Sequence, residues 1–393
     1  MTSRAAPALA PGALRLGTEG AFAVLARAGE LERAGRDVVH LEIGEPGFPT
    51  PVHVAEAAFA AIRAGETGYC PAAGIPELRE AAAAELSRTR GVAIPRDRVL
   101  VANGAKPLLF FAVLATCEPG DEVVHPDPGF PIYESAIRFA GATPVPLVLR
   151  EADDFAFSVQ DLAARLTDRT KLVILNSPQN PTGGVLGRET LAAAADVLRD
   201  STAWVLSDEV YGRLLYDGAF ASIATEPGML ERTIVLDSFS KTYAMTGWRC
   251  GYAAVPGPLV EPLTRFAINS TSCVPPFVQR AGIAALNGPQ DGVAAMLAEL
   301  RARRDLVVAG LAALPGVSCR VPHGAFYAFP NVEALPLAAD ALAGRLLEEA
   351  GVALLSGTAF GAAGEGHLRL SYATSRARLA EGLERMRTFL AGL

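Results

Sequence analysis

The sequence predicts an α/β protein in which a mostly parallel, seven-stranded sheet is covered by helices on both faces and joined to a smaller α+β portion. Two observations carry this expectation. From residue 99 onward the chain alternates short, continuously apolar runs with helical stretches, the pattern of strands buried on both faces of a parallel sheet. At 393 residues, half of them apolar, the chain also exceeds the size at which one hydrophobic core stops growing, so two domains are expected.

Residues 22–34 have helical periodicity ending at Gly35, and 38–43 read as a short strand running into a Gly- and Pro-bearing turn over 44–51. Residues 54–64 and 76–90 read as helices, the second with Pro76 in the first turn, where a missing N–H costs nothing. Strands are expected at 99–102, 122–125, 143–149, 171–176, 204–208, 233–238 and 249–254, with helices at 107–116, 131–140 and 188–199. A long helix over 290–313 leads into the smaller portion, which holds 324–329, a helix over 338–350, a strand over 367–371 and a terminal helix. The expected division is a large domain over 51–284 and a small one, discontinuous in sequence, formed by 1–50 and 285–393. In such sheets ligands gather at the carboxyl ends of the strands.

Composition narrows the function. The 42 acidic and 35 basic residues give a net charge of −7 with no basic cluster, which argues against a nucleic-acid surface. No uncharged apolar run reaches membrane-spanning length, and the Ala- and Pro-rich start lacks the apolar core of a secretory signal. The five cysteines, Cys70, Cys117, Cys250, Cys273 and Cys319, are odd in number and lack paired close spacing, so neither a disulfide framework nor a zinc site is expected. A reducing cytoplasm fits best.

The chemistry-bearing segments sit at strand ends. Ser238-Phe239-Ser240-Lys241 and Gly247-Trp248-Arg249-Cys250-Gly251 together offer hydroxyl donors, a guanidinium fork, close backbone approach and an amine able to form a Schiff base. Asp208-Glu209-Val210-Tyr211 ends another strand; alone, its Asp reads as a helix cap. The turn Asn176-Ser177-Pro178-Gln179-Asn180-Pro181-Thr182-Gly183 can aim an amide inward. Asn103-Gly104-Ala105-Lys106 precedes a helix whose free N–H groups and dipole favour a phosphate.

Taken together, these segments resemble the class I and II aminotransferases of pyridoxal-phosphate (PLP) fold type I, in the aspartate aminotransferase-like bacterial subgroup, with Cys250 replacing the usual small aliphatic residue. The likeness runs from the Gly44 turn to Arg369. It implies that Lys241 holds pyridoxal 5′-phosphate as a Schiff base, that Asp208 keeps the ring nitrogen protonated, and that Tyr211 and Asn180 bond the phenolic oxygen. Gly104, Ala105, Lys106, Ser238, Ser240 and Arg249 would bind the phosphate, and Phe130 would stack on the ring. Tyr69 would cross a homodimer interface to the partner's phosphate. Arg369 would grip the substrate α-carboxylate with help from Gly44 and Asn180. Lys106 matches a lysine that reaches the distal carboxylate of aspartate or glutamate in that subgroup; the plain alternative is a solvated lysine at a helix start.

The implied reaction moves an amino group between an α-amino acid and an α-keto acid, with an aspartate- or glutamate-type donor favoured. The same scaffold also serves lyases, synthases, oxidases and carbon–carbon bond-forming enzymes, because all begin by breaking a bond to Cα. A non-catalytic ligand-sensing domain is a further alternative, against which stands the absence of a basic N-terminal helix.

Overall fold

The computed structural model describes residues 9–393; residues 1–8, part of the Ala- and Pro-rich start, lie outside the described residues. Its central sheet has seven strands: β1 (Val99–Ala102), β2 (Glu122–Asp127), β3 (Thr143–Val148), β4 (Thr170–Asn176), β5 (Trp204–Asp208), β6 (Thr233–Ser238) and β7 (Gly251–Ala254). Their order across the sheet is β1-β7-β6-β5-β4-β2-β3. β2 to β6 run parallel, whereas β7 is antiparallel to both neighbours, β1 and β6. The connection over 239–250 turns back instead of crossing over the sheet, and this reversal brings the start of β7 beside the ends of β1 and β6.

Alternate residues of each strand enter different layers, as the period of two requires. Leu100, Leu172, Ile174, Leu206, Ile234 and Ala253 pack with the helices Ala105–Thr116, Ile132–Ala140 and Gly257–Ser270. On the opposite face, Val99, Val101, Val235 and Tyr252 meet Pro76–Arg90 and Pro276–Asn287, while Val124, Val173 and Val205 meet Arg188–Arg199. The sheet is therefore covered on both sides. The edge strand β3 is partly exposed and carries Pro144 and Pro146, whose missing donors discourage a further strand from pairing there.

A separate core joins Val39 and Leu41 to Tyr211, Leu214 and Tyr216 and to residues beyond Met296. It lies among the helices Asp291–Ala312, Ala339–Ala350 and Arg376–Leu390, a parallel pair (Val39–His40 with Val352–Ala353), and an antiparallel sheet of Leu355–Ser356, Leu368–Ser371 and Tyr327–Ala328.

Several boundaries differ from expectation. The strand expected over 38–43 is only Val39–His40. The helix expected from Pro107 begins at Ala105, with Pro107 in its first turn, where the N–H would have no intrahelical acceptor. Helices Val159–Arg165, Gly257–Ser270 and Pro276–Asn287 were not anticipated. Among the described residues no helix is long and apolar enough to cross a membrane.

Candidate active site

Asn176, Asp208 and Ser238 are the last residues of β4, β5 and β6, three adjacent parallel strands. Together with residues from the loops beyond them they line a cavity of about 450 Å³.

One end of the cavity is built for an anion. Gly104 has φ +96°, a conformation that favours glycine, and a Cβ there would run into the Arg249 guanidinium. A Cβ on Gly251 would come within 2.5 Å of the Ala105 nitrogen. These two glycines let the helix start at Ala105 close against the loop that carries Arg249. The Arg249 Nη1 donates to Thr246 O at 2.7 Å and Nη2 to Asn103 O at 3.2 Å, which fixes the fork at the cavity rim. Ser238 Oγ accepts from the Ser240 N–H at 3.1 Å and lies 2.9 Å from Ser240 Oγ. Free helical N–H groups, two hydroxyls and a guanidinium thus converge.

Lys241 lies just beyond, on the short helix Phe239–Thr242. Its Nζ donates to Gly44 O at 2.6 Å, near the Tyr211 and Phe326 rings, and among the described residues no carboxylate pairs with it. Burial lowers its pKa to about 8, which leaves a usable fraction of free amine near neutrality. A Cβ on Gly44 would collide with the Tyr327 hydroxyl, so only glycine lets the 44–45 turn lie this close.

Asp208 is buried. Its Oδ2 accepts from the Tyr133 hydroxyl at 2.7 Å and its Oδ1 from the Val210 N–H at 3.4 Å. Burial raises its pKa to about 6 against the opposing hydrogen bonds. Tyr133 in turn stands edge-on to Phe130, with ring centroids 5.7 Å apart. The Tyr211 and Tyr327 hydroxyls are 2.7 Å apart. The Asn180 N–H donates to Asn176 Oδ1 at 3.1 Å, while its own carboxamide oxygen is buried without a partner.

Arg369 closes the other end. It is buried between the rings of Tyr327 and Phe360, 4.7 and 5.1 Å from their centroids, and its Nη2 donates to Glu42 O. Its Nε is buried with no acceptor. A guanidinium stacked by two rings and left with an unused donor is poised for a carboxylate.

Of the residues singled out from sequence, Gly44, Ala105, Lys106, Phe130, Asn180, Asp208, Tyr211, Ser238, Ser240, Lys241, Arg249 and Arg369 all line this cavity, and Gly104 packs behind it. Tyr69 does not; its side chain is 92% exposed on the outer surface. Sequence reasoning missed Tyr133, Tyr327 and Glu19, which also line the cavity. Tyr133 lies in the first turn of the helix Ile132–Ala140, three residues after Phe130, and its N–H donates to Phe130 O at 3.0 Å. Tyr327 and Glu19 gave no comparable signal.

The family model for "Aminotransferase class I and II" matches residues 36–386. The chain belongs to this family. Within it, the aminotransferase is 41% identical to an aspartate aminotransferase of Rhizobium meliloti, over 92% of this chain and 91% of the relative. It superposes on the aspartate aminotransferase of Thermus thermophilus with maleate at a TM-score of 0.94, with 38% identity over 99% of this chain and all of the other. An aromatic aminotransferase of Pyrococcus horikoshii matches at a TM-score of 0.89, with 39% identity over 93% of this chain and 99% of that one. The α/β fold with its seven-stranded sheet is thus the aspartate aminotransferase fold, and the aminotransferase uses pyridoxal phosphate.

The cavity fits that cofactor. The Gly104–Arg249–Gly251 packing forms a cradle that a Cβ would fill, suited to the phosphate. The orphaned Asn180 oxygen and Arg369 Nε are polar groups awaiting partners, and the Lys241 amine, bonded among the described residues only to the Gly44 carbonyl, lines the same cavity.

Proposed function

We propose that amino transfer takes place in this cavity, with Lys241 as both the covalent anchor of the cofactor and the group that moves the proton. The observation that carries this reading is the Lys241 amine, unpaired by any described carboxylate, in one cavity with buried Asp208 and the guanidinium of Arg369. When bound, pyridoxal phosphate supplies an electron-accepting ring that takes up the electron pair left behind when a proton leaves the substrate Cα.

The protein's own groups prepare that step. Arg249, Ser238, Ser240 and the helix start at Gly104, Ala105 and Lys106 hold the phosphate. Phe130, which lines the cavity, would stack on the cofactor ring. Asp208, held by the Tyr133 hydroxyl, holds the ring-nitrogen proton through ion pairing. Tyr211 and Asn180 bond the phenolic oxygen. Arg369 takes the α-carboxylate in a two-bond fork, helped by the Gly44 backbone and Asn180. Lys241, released when the substrate amine takes its place, would accept the proton from the substrate Cα and give it back; its lowered pKa suits it to both acts.

For the substrate, the reading favours a dicarboxylic amino acid, aspartate or glutamate, as one of the two exchange partners, with Lys106 as counter-ion to the distal carboxylate. The Rhizobium and Thermus relatives are named for aspartate, and Lys106 lines the cavity over Phe130, 5.4 Å from its centroid. The division into 51–284 and 1–50 with 285–393 belongs to the same reading.

A homodimer is part of it too, with Tyr69 reaching the partner's phosphate. Exposed Val52, Phe59 and Ile62 on the helix Val52–Arg63, close in sequence to Tyr69, support an apolar interface there. A cytoplasmic setting accompanies this reading and is supported by five cysteines that are all free.

The test is borohydride reduction of the holoenzyme followed by peptide mapping, alongside a panel of single amino acids scored for conversion of the cofactor to its aminated form. The label is expected on Lys241 and conversion with aspartate or glutamate. A label on another side chain removes Lys241 from its role, and a panel without any conversion by a dicarboxylic amino acid removes the substrate assignment.

A further inference from the structure

Lys106 does not stand alone in the cavity. Its ammonium group is ion-paired with Glu19. Glu19 immediately precedes the helix Gly20–Arg33, yet its side chain makes no capping bond to that helix, because it is turned to Lys106 instead. The segment that delivers it is fastened across the helix Ile132–Ala140. Arg15 Nε donates to Arg138 O at 2.8 Å, its Nη2 to Phe139 O at 3.2 Å, and the Gly17 N–H to Ser135 Oγ at 3.0 Å. The carboxylate is therefore held from both sides, by this tether before it and by the helix after it.

The surroundings define what the pair can do. Glu19, Ala21, Phe22, Lys106, Leu109 and Phe130 all line the cavity, and the Lys106 ammonium that pairs with Glu19 lies 5.4 Å from the Phe130 ring centroid, so apolar side chains flank the two opposite charges. Glu19 is the more shielded of the two, its side chain being 18% exposed against 43% for Lys106. Its charge is also felt by Lys241 and Arg369, as expected of a carboxylate facing inward.

A substrate carboxylate arriving at Lys106 meets an ammonium that already has a counter-ion. It must displace Glu19 or suffer repulsion from it at close range. A neutral side chain meets the opposite situation, since the intact pair leaves that end of the cavity without net charge and the apolar walls receive it. We propose that Glu19 is a specificity-determining residue, an internal carboxylate standing where a substrate's distal carboxylate would bind, so that neutral side chains enter with the Glu19–Lys106 pair intact and dicarboxylic ones by displacing Glu19. This rests on the reading of Lys106 as the distal counter-ion. It also gives amino transfer what its chemistry demands, a single cavity that receives two different partners in turn.

The test compares wild-type holoenzyme with Glu19→Gln, Glu19→Asp and Lys106→Ala. Two quantities are measured: equilibrium binding of maleate, an unreactive dicarboxylate, and kcat/KM for aspartate, glutamate, phenylalanine and leucine with one fixed acceptor. Glu19→Gln keeps the size and removes the charge. It is expected to tighten maleate and raise kcat/KM for aspartate by roughly fivefold, the upper scale of a partly solvent-exposed ion pair, while kcat/KM for phenylalanine and leucine falls. Glu19→Asp retains the charge and is expected to keep the wild-type order of preference. Unchanged maleate affinity and an unchanged aspartate-to-phenylalanine ratio in Glu19→Gln, with maleate weakened in Lys106→Ala, overturn the role of Glu19 and leave that of Lys106 standing. Maleate and aspartate indifferent to Lys106→Ala overturn the Lys106 reading, and the role of Glu19 with it.

Discussion

At the scale of single residues, the cavity is set by burial acting on groups that water would leave charged. Asp208 shows the consequence with a definite sign. Its pKa is raised from 3.8 to about 6 in the cofactor-free chain, chiefly by burial. Between pH 4 and 6 the native state therefore holds a proton that the unfolded state has released, and stability falls as pH rises through that window. Over two units this amounts to about 3 kcal/mol at most. A protonated ring nitrogen beside Asp208 would relieve the penalty, so the gap in Tm between holoenzyme and apoenzyme is expected to widen from pH 4 to 6.5. In Asp208→Asn the gap should stay flat over that range. A gap that widens equally in both proteins would mean that some other group is titrating. The sequence exposed Asp208 and Lys241 because each stands in a motif at or just past a strand end, and Arg369 because it is a lone charge within an apolar strand. It did not expose Tyr133 or Tyr327, whose roles come from hydroxyls meeting partners 75 and 116 residues away in the chain.

At the scale of elements, the cavity floor is fastened from behind by a buried charge network. Arg90, the last residue of the helix Pro76–Arg90, sends Nε to Glu209 Oε2 at 2.8 Å and Nη2 to Asp237 Oδ2 at 2.7 Å. The other Glu209 oxygen accepts from Ser207 and Ser222 at 2.8 and 2.6 Å, so the carboxylates are well supplied with donors. Glu209 follows Asp208 and Asp237 precedes Ser238, so one guanidinium ties the helix to the two strand ends that carry the site. Arg90→Met leaves two buried carboxylates without their counter-ion and is expected to cost about 3–5 kcal/mol in urea unfolding of the apoenzyme; a loss below 1 kcal/mol would show that water reaches the network and compensates. This network was not legible in the sequence, since nothing in a lone Arg at a helix end distinguishes it from a solvated one. The sheet was legible, because a four- to seven-residue apolar run between turns has few other uses. The direction of β7 was not, as such a run reads the same parallel or antiparallel. The helix Gly257–Ser270 was hidden by Pro258 and Pro262, and Pro276–Asn287 by its opening prolines, all of which read as breakers unless the tertiary packing is known.

At the scale of the whole molecule, the exposed apolar side chains of the helix Val52–Arg63 and the exposed Tyr69 bear on the proposed homodimer. Val52, Phe59 and Ile62 are 72%, 58% and 42% exposed, and Tyr69, also 92% exposed, lies only a few residues further on. In one chain alone Tyr69 does not line the cavity, although the residues it was expected to join do. If its partner is a phosphate held by the second protomer, each cavity is completed by both chains, and the two can be separated genetically. Lys241→Ala and Tyr69→Ala carry defects in different chains of one site. In a hybrid purified through two tags, one cavity combines both lesions and the other has Lys241 with an intact Tyr69 from across the interface. That hybrid is expected to regain about half of wild-type activity under C2 symmetry, well above either parent homodimer. Were Tyr69 to act within its own chain, the hybrid's sole Lys241-bearing cavity would keep the Tyr69 lesion, and its activity would reach no more than half that of the Tyr69→Ala homodimer. Sedimentation of the wild-type holoenzyme at twice the chain mass must accompany the first outcome, because complementation between chains requires that the two remain together through turnover.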